Sequence, residues 1–279
     1  MKIVAAIQAD LKTSEVGTAS RLTQALRGTP VLRRTVLRLA TVERLDRVFV
    51  LCPQAQQDAC RAIVKGTGAA VRGYAMDDPP WRSLVRSARK WSLDGWRGGV
   101  GGTSCFDEFV DCRLLASLIG AEQADAVLCV AAGAALVDPE ISGAMIQLFE
   151  RSDEELRLVF AQTPPGLAGV LLERCLINEL AEKNSPLGWV LSYKPDMPIK
   201  DLITQPCCIE VPPEVRYASG RLIADTGRAL ARLDALLGAH VDPAACDIGR
   251  WLLARARDHT DALPHEIEIE LTTDDPYPT

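Results

Sequence analysis

The feature of this sequence that most restricts its fold is an alternation of short, continuous apolar runs with amphipathic stretches through residues 1–165. Runs of strand length whose apolar residues are continuous rather than alternating are typical of strands buried on both faces. Five such runs are Ile3–Ile7, Arg47–Leu51, Ala70–Tyr74, Ala126–Val130 and Leu156–Ala161. They predict a mainly parallel sheet, because parallel strands need a crossover connection that is usually a helix.

Helical stretches fill the gaps between these runs. In the first, Val31–Val42, apolar residues recur at helical spacing behind Pro30, a residue suited to a first turn. The second, Gln54–Lys65, stops at Gly66, as a helix with a C-terminal glycine does. The remaining predicted helices are Pro80–Trp91, Cys112–Ala121, Pro139–Phe149 with Asp138 as its cap, Gly169–Lys183, Gly220–Leu237 and Cys246–Arg257.

The predicted fold is a three-layer α/β/α domain with a smaller, irregular C-terminal extension. We expect residues 1–165 to form the core, because Pro164-Pro165-Gly166 breaks the pattern there. Residues 166–262 form either the C-terminal part of the same domain, with a short strand at Cys207–Val211, or a helical extension. Residues 263–279 combine an alternating strand, Glu266–Leu271, with an acidic tail that could begin a further domain.

Composition excludes several classes of function. A net charge of −6 argues against nucleic-acid binding, which depends on clustered Lys and Arg. Nine cysteines without a C-x-x-C pair, and only three histidines, argue against a zinc site. No run approaches the roughly 20 apolar residues that span a bilayer. The odd cysteine count and the absence of a signal-peptide core predict a cytoplasmic protein without a membrane partner.

Four segments resemble the sugar-activating nucleotidyltransferases, in particular the cytidylyltransferases that make CMP-linked acidic sugars and their spore-coat relatives. Lys2–Ala9 is similar to the family's opening strand, and Gly28–Leu32 stands where the family has G-K-P-L-L. Leu45–Val50 is similar to I-D-E-V-V-V, and Asp125–Pro139 follows D-V-V-V-R-V-T-G-D-x-P-L-I-D-P without a gap. The resemblance covers about the first 150 residues. It implies a nucleotidyltransferase-like fold of the GT-A or Rossmann-like type.

The resemblance also implies a nucleotide or nucleotide-sugar as ligand, bound where the strands end. The family's phosphate loop is matched loosely by residues 9–22, with Gly17–Leu22 in place of G-S-T-R-L. This implies Arg21 and Lys12 as catalytic cations and Ala9, Gly17 and Ser20 as nucleotide-binding residues. Asp10 reverses the charge of the family's first arginine, so an ordinary polar loop is the alternative.

A divalent metal, Mg²⁺, is the cofactor that the resemblance implies. The family's metal-ligating aspartate aligns with Gly133, which we expect near the nucleotide but which has no side chain to coordinate metal. The metal ligands are therefore unknown. Asp77 and Asp78 could bind metal or serve a turn, and Asp225 is expected to be a solvated surface residue.

A glycine-rich segment faintly resembles the family's nucleotide-contacting S-G-T-D-R loop. The residues that the resemblance places near base or sugar are Gly102, Thr103, Ser104, Asp107 and Glu108. A structural turn is the alternative for this segment, because glycine-rich spacing of this kind is common.

A second resemblance concerns Pro164–Leu171, Arg216–Thr226 and Glu266–Thr273, which are similar to segments N-terminal to radical SAM domains in large bacterial proteins. The C-x-x-x-C-x-x-C cluster motif of those domains does not occur in this sequence. The resemblance implies a radical SAM domain or protein as partner, with this chain either part of a longer protein or a free-standing relative.

Three hypotheses for function follow. The first is transfer of a cytidylyl group from a nucleoside triphosphate to a sugar acid. The second is a nucleotide-binding or regulatory module without turnover that works with a radical SAM partner. The third is a glycosyltransferase of similar architecture, for which no convincing D-x-D motif is present.

Overall fold

The predicted apolar runs form strands of one sheet in the computed structural model, which describes residues 1–90, 110–152, 156–188, 206–218 and 220–257. The strands of the sheet are β1 (Ile3–Gln8), β4 (Arg47–Pro53), β5 (Ala70–Tyr74), β6 (Ala126–Ala131), β7 (Leu158–Ala161), β8 (Val170–Glu173) and β9 (Cys208–Ile209). A separate two-residue hairpin consists of β2 (Ala25–Leu26) and β3 (Thr29–Pro30).

The strand order is β5-β4-β1-β6-β8-β7-β9, and β8 alone among these strands runs against its neighbours. Central β1 pairs in parallel with β4 on one side and with β6 on the other. The carboxyl ends of β1, β4, β5, β6 and β7 therefore meet at one edge of the sheet, as the predicted parallel topology requires. This edge is called the carboxyl edge below.

Helices cover both faces of the sheet. Side chains of β1 alternate between two cores: Ile3, Ala5 and Ile7 belong to one, and Val4 and Ala6 to the other. The described helices are α1 (Val31–Leu39), α2 (Gln57–Ile63), α3 (Arg82–Lys90), α4 (Cys112–Glu122), α5 (Pro139–Arg151), α6 (Arg174–Glu182), α7 (Pro213–Arg216), α8 (Gly227–Ala239) and α9 (Ala245–Arg257). Helices α4 and α6 pack on the second core, while α1, α5, α8 and α9 pack on the first, so the predicted three-layer α/β/α fold is confirmed.

One predicted helix is wrong in its first part. Residues 169–173 do not begin the helix predicted at Gly169–Lys183, because Val170–Glu173 forms β8 between β6 and β7. Leu171 packs into one core and Leu172 into the other, so the run is buried on both faces and has no helical period. Helix α6 starts only where Glu173 accepts hydrogen bonds from the backbone N of Cys175 at 2.7 Å and of Leu176 at 3.2 Å.

The helix predicted at Gly220–Leu237 also starts later. Thr226 caps α8 by accepting a hydrogen bond from the Ala229 backbone N at 3.1 Å, and the helix begins at Gly227. Residues 220–226, called the crossing segment below, are buried non-helical chain except for half-buried Thr226. They pack against the carboxyl edge, where the Ala224 backbone N donates to the Gly133 carbonyl at 3.0 Å.

The predicted strand Glu266–Leu271 lies outside the described residues, and the domain boundaries at 165 and 262 stay predictions. Two strands of the sheet, β8 and β9, come from the chain after residue 165. Among the described helices, none combines the length and the apolar character needed to cross a membrane.

The predicted cap Asp138 accepts hydrogen bonds from the N-terminal ends of two helices, α5 and α9. Its Oδ1 accepts from the Glu140 and Ile141 backbone N at 2.9 Å, and its Oδ2 accepts from the Ala245 backbone N at 3.0 Å. Asp138→Ala removes a cap and leaves a buried N–H unpaired, so we expect a loss of about 2–4 kcal/mol in the free energy of unfolding by urea titration.

The matched control is Asp58→Ala, which removes a carboxylate that is 96% exposed and, among the described residues, is paired with Arg61 alone. This control should change the unfolding free energy by less than about 0.5 kcal/mol. Equal effects of the two substitutions would contradict the connecting role of Asp138.

Candidate functional site

Two cavities adjoin at the carboxyl edge. One is called the polar cavity and the other the apolar cavity below. Gln8 at the end of β1, Glu15 and Ile223 line both of them. Together they form a cleft at the position where open sheets with parallel strands bind ligands.

Three arginines line the polar cavity: Arg21, Arg82 and Arg86. Arg82 and Arg86 lie one turn apart on α3, so both side chains project from the same face of that helix. Both pair with Asp78, at 2.8 Å from Arg82 Nη1 and 3.5 Å from Arg86 Nη1. Burial, and then the nearby charge of Arg82, lower the pKa of Arg86. The cavity thus brings three guanidinium groups, together with three carboxylates of its lining, to a partly desolvated site.

Tyr74 completes this wall at the end of β5. Burial raises the pKa of the Tyr74 phenol to about 12, so the hydroxyl stays neutral at physiological pH and can donate a hydrogen bond to an anion.

The loop after β1 is shaped by Asp10 and by a short hairpin. Asp10 Oδ1 accepts from the Lys12 backbone N and from Gln56 Nε2, both at 2.8 Å. Thr13 and Ala19 then pair as an antiparallel bridge, and the turn between them needs the positive φ of 88° at Gly17. The carboxylate that reverses the family's charge therefore organises the loop.

The structure brings part of the predicted phosphate loop to the cleft. Ala9, Ser20, Arg21 and Gly133 line the polar cavity. Lys12 and Gly17 are exposed and line neither cavity, and the Gly17 backbone N donates to the Ser14 carbonyl at 3.0 Å. The binding and catalytic roles of all these residues stay predictions.

Gly133 lies where the crossing segment touches the sheet. Its carbonyl accepts a hydrogen bond from the Ala224 backbone N at 3.0 Å. A Cβ at Gly133 would meet that same nitrogen at 2.9 Å and Ile223 Cγ2 at 3.0 Å. Backbone of the crossing segment therefore occupies the space into which a side chain at this position would extend.

Asp225 is not the solvated surface residue that the sequence suggests; only 3% of it is exposed. Both of its carboxylate oxygens accept from Arg221, with Nε at 3.0 Å from Oδ1 and 2.7 Å from Oδ2. Arg221 is itself 2% exposed. The prediction is wrong because the buried apolar run Leu222–Ala224 carries Asp225 into the core. Arg221, one turn earlier, neutralises its charge there.

A divalent cation does not fit the described residues of the cleft. Gly133 has neither a ligand atom nor room for one, and Asp225 is neutralised by Arg221. Within the described ranges, no group of three or more His, Cys, Asp or Glu side chains is placed to hold a metal ion. The family's metal-ligating position therefore offers no side-chain ligand, and the Asp225 carboxylate is already bonded to Arg221.

The apolar cavity has a different character. Most of its wall is uncharged and nonpolar, including Val130 of β6, Val170 of β8 and the Pro164-Pro165 pair. Glu15 contributes a carboxylate, while Gln8 and Thr163 add polar groups. Gln8 is held by hydrogen bonds of 3.2 and 3.0 Å to the backbone of Asp111, the cap of α4. Such a wall suits a flat, uncharged group with few hydrogen-bonding positions.

The predicted glycine-rich contacts Gly102, Thr103, Ser104, Asp107 and Glu108 lie outside the described residues. Arg82, Arg86 and Tyr74 are cleft residues that sequence reasoning missed. The signal that could have identified the two arginines is their i, i+4 spacing in a helix that directly follows a strand end, where ligand-binding groups collect.

Comparison with solved structures places the fold. A cytidylyltransferase from Leptospira borgpetersenii aligns over 92% of this chain and 96% of its own, with a TM-score of 0.60 and 15% identity. The CMP:2-keto-3-deoxy-manno-octonic acid synthetase complexed with CTP aligns over 86% and 99%, with a TM-score of 0.55 and 12% identity. Rv0371c from Mycobacterium tuberculosis H37Rv, in complex with manganese, aligns over 84% and 99%, with a TM-score of 0.50 and 15% identity.

No protein-family model matches the chain, and no curated protein matches it. Identities of this size establish the fold and not the activity. The protein has the nucleotidyltransferase-like α/β fold of the cytidylyltransferases.

Proposed function

We propose that the protein binds a cytidine nucleotide or nucleotide-sugar in the cleft at the carboxyl edge. The observation that carries this proposal is the division of the cleft into an arginine-lined cavity and an adjoining apolar cavity that share Gln8, Glu15 and Ile223. A nucleotide has the same two parts, an anionic phosphate chain and an uncharged aromatic base. The polar cavity would take the phosphates and the apolar cavity the base or sugar.

The solved structures support the choice of nucleotide. The synthetase with the same fold is complexed with CTP, and its alignment covers 86% of this chain. Among the predicted site residues, Arg21 is the one that we assign to the phosphates, because it lines the polar cavity. A guanidinium group can donate two parallel hydrogen bonds to a phosphate. Ala9, Ser20 and Gly133 would lie beside it, and Thr103 to Glu108 remain the predicted contacts to base or sugar.

Transfer of the cytidylyl group to a sugar acid is the more specific form of the proposal. Such transfer displaces pyrophosphate, and cationic groups must absorb the charge that develops on the phosphates. Arg21, Arg82 and Arg86 supply such groups. Lys12, the second predicted catalytic cation, lines neither cavity, so its backbone would have to move for it to contribute.

The alternative is a nucleotide-binding module without turnover. The observation that favours it is the crossing segment, whose backbone stands where the family's carboxylate would extend from position 133. On this alternative the protein would work with a radical SAM domain or protein in the cytoplasm. The support for that partner is the sequence resemblance of Pro164–Leu171 and Arg216–Thr226.

Arg21→Ala tests the proposed phosphate contact. Loss of a charged hydrogen-bond donor should weaken CTP binding about 10- to 100-fold in isothermal titration calorimetry. The matched control is Arg44→Ala, since Arg44 lies before β4 at the opposite edge and pairs with Glu150. An unchanged dissociation constant of CTP for Arg21→Ala would show that the loop containing Arg21 does not contact the phosphates.

A turnover assay separates the two forms of the proposal. Because position 133 offers no carboxylate, we expect CTP to bind while pyrophosphate release with magnesium and candidate sugar acids stays at the uncatalysed rate. Sugar-dependent release that Arg21→Ala abolishes would instead establish the transferase. Absence of CTP binding in calorimetry would remove both forms.

A further inference from the structure

The polar cavity is lined by three arginines, and the family's metal-ligating position, Gly133, offers it no carboxylate. Arg82 and Arg86 lie on one face of α3, with side chains that are 13% and 25% exposed. Their one shared carboxylate in the described structure, Asp78, is 57% exposed. Two like charges held this close in a partly buried site repel one another, and an anion between them relieves that repulsion.

Hydrogen bonding gives a second, independent indication. The Nε atoms of Arg82 and Arg86 are buried and have no hydrogen-bond partner among the described residues. A buried N–H without a partner is costly, and buried donors in folded proteins are normally satisfied. Two such donors beside one cavity are available to hydrogen-bond the oxygens of a bound anion.

The positions Gly133 and Asp225, which also line the polar cavity, do not offer a free carboxylate for a metal ion. The family's metal-ligating position is Gly133, which has no carboxylate, and Asp225 in the crossing segment has both oxygens bonded to Arg221. A divalent cation beside Asp225 would also face the Arg221 guanidinium. The positive charge that a polyphosphate requires is therefore already built into the chain.

We propose that Arg82 and Arg86, together with Arg21, replace the divalent cation, so that the cleft binds a phosphoanhydride-bearing nucleotide without metal. This inference rests on the proposed function for the identity of the nucleotide, while the phosphate site itself follows from the arginines. The ligand class is a nucleoside di- or triphosphate, whose adjacent phosphates can accept from several guanidinium groups at once.

The test is calorimetric titration of the full chain with CTP in EDTA and again in excess magnesium, and with inorganic pyrophosphate in EDTA. We expect CTP affinity in EDTA to be at least as high as in magnesium, because arginines alone bind the phosphates and magnesium on the triphosphate reduces its negative charge. Arg82→Ala and Arg86→Ala should each weaken binding in EDTA by at least about tenfold. Arg61→Ala, an exposed substitution on α2 paired with Asp58, should leave binding unchanged.

Arg86→Lys keeps the charge but removes the buried Nε and the planar fork. We expect it to bind CTP more weakly than the wild-type protein and more tightly than Arg86→Ala. Circular dichroism of each variant verifies that it is folded. If an alanine variant does not fold, the comparison of Arg86→Lys with the wild-type protein still tests the proposal.

The outcomes distinguish this inference from the proposed function. CTP binding that requires magnesium overturns the inference and leaves the proposed function standing. If pyrophosphate binds in EDTA in a manner that depends on Arg86 while CTP does not bind, the phosphate site is supported. The proposal that the ligand is a cytidine nucleotide is then wrong. No binding of either probe under any condition overturns both.

Discussion

The cleft depends on the close approach of the crossing segment, residues 220–226, to the carboxyl edge of the sheet. Two backbone hydrogen bonds hold it there: Ala224 N donates to the Gly133 carbonyl at 3.0 Å, and Leu222 N donates to the Pro165 carbonyl at 2.8 Å. The approach needs glycine, because a Cβ at Gly166 would lie 2.6 Å from the Leu222 carbonyl group. Ile223 is thereby fixed where it contributes to both cavities.

The buried pair of Arg221 and Asp225 strengthens the same arrangement. Arg232 Nη1 donates to the Arg221 carbonyl at 3.1 Å, and Thr18 Oγ1 donates to the Asp225 carbonyl at 2.6 Å. The segment is therefore tied to α8 on one side and to the loop after β1 on the other. A buried ion pair adds little net stability against an apolar pair, but removing one partner is strongly destabilising. Its contribution here is to specify one position of the segment.

The sequence predicts much of the sheet and less of the cleft. Strands β1, β4, β5 and β6 were predictable because their runs are continuous and bounded by helical periods, and the cap Asp138 carries its own local signal. Strand β8 was not, because a four-residue run buried on both faces has no period that separates strand from helix.

The position of α3 was not predictable either. The sheet order β5-β4-β1 brings the end of β5 near the loop after β1, and this puts Arg82 in one cavity with Arg21, 61 residues earlier in the chain. Such proximity follows from long-range strand pairing, which local patterns do not encode. The buried state of Asp225 has the same origin, since it depends on the partner that Arg221 provides in the folded chain.

Two arginine–aspartate clusters at this edge differ in how readily they can exchange a carboxylate for a ligand. Asp78 is 57% exposed, and an exposed pair contributes only about 0–1 kcal/mol, so a phosphate can displace it from Arg82 and Arg86 at little cost. Asp225 is 3% exposed, and separating a buried pair costs about 3–5 kcal/mol. If the cleft binds phosphate as proposed, anion exchange would therefore be confined to the α3 side, because the Arg221–Asp225 pair is buried.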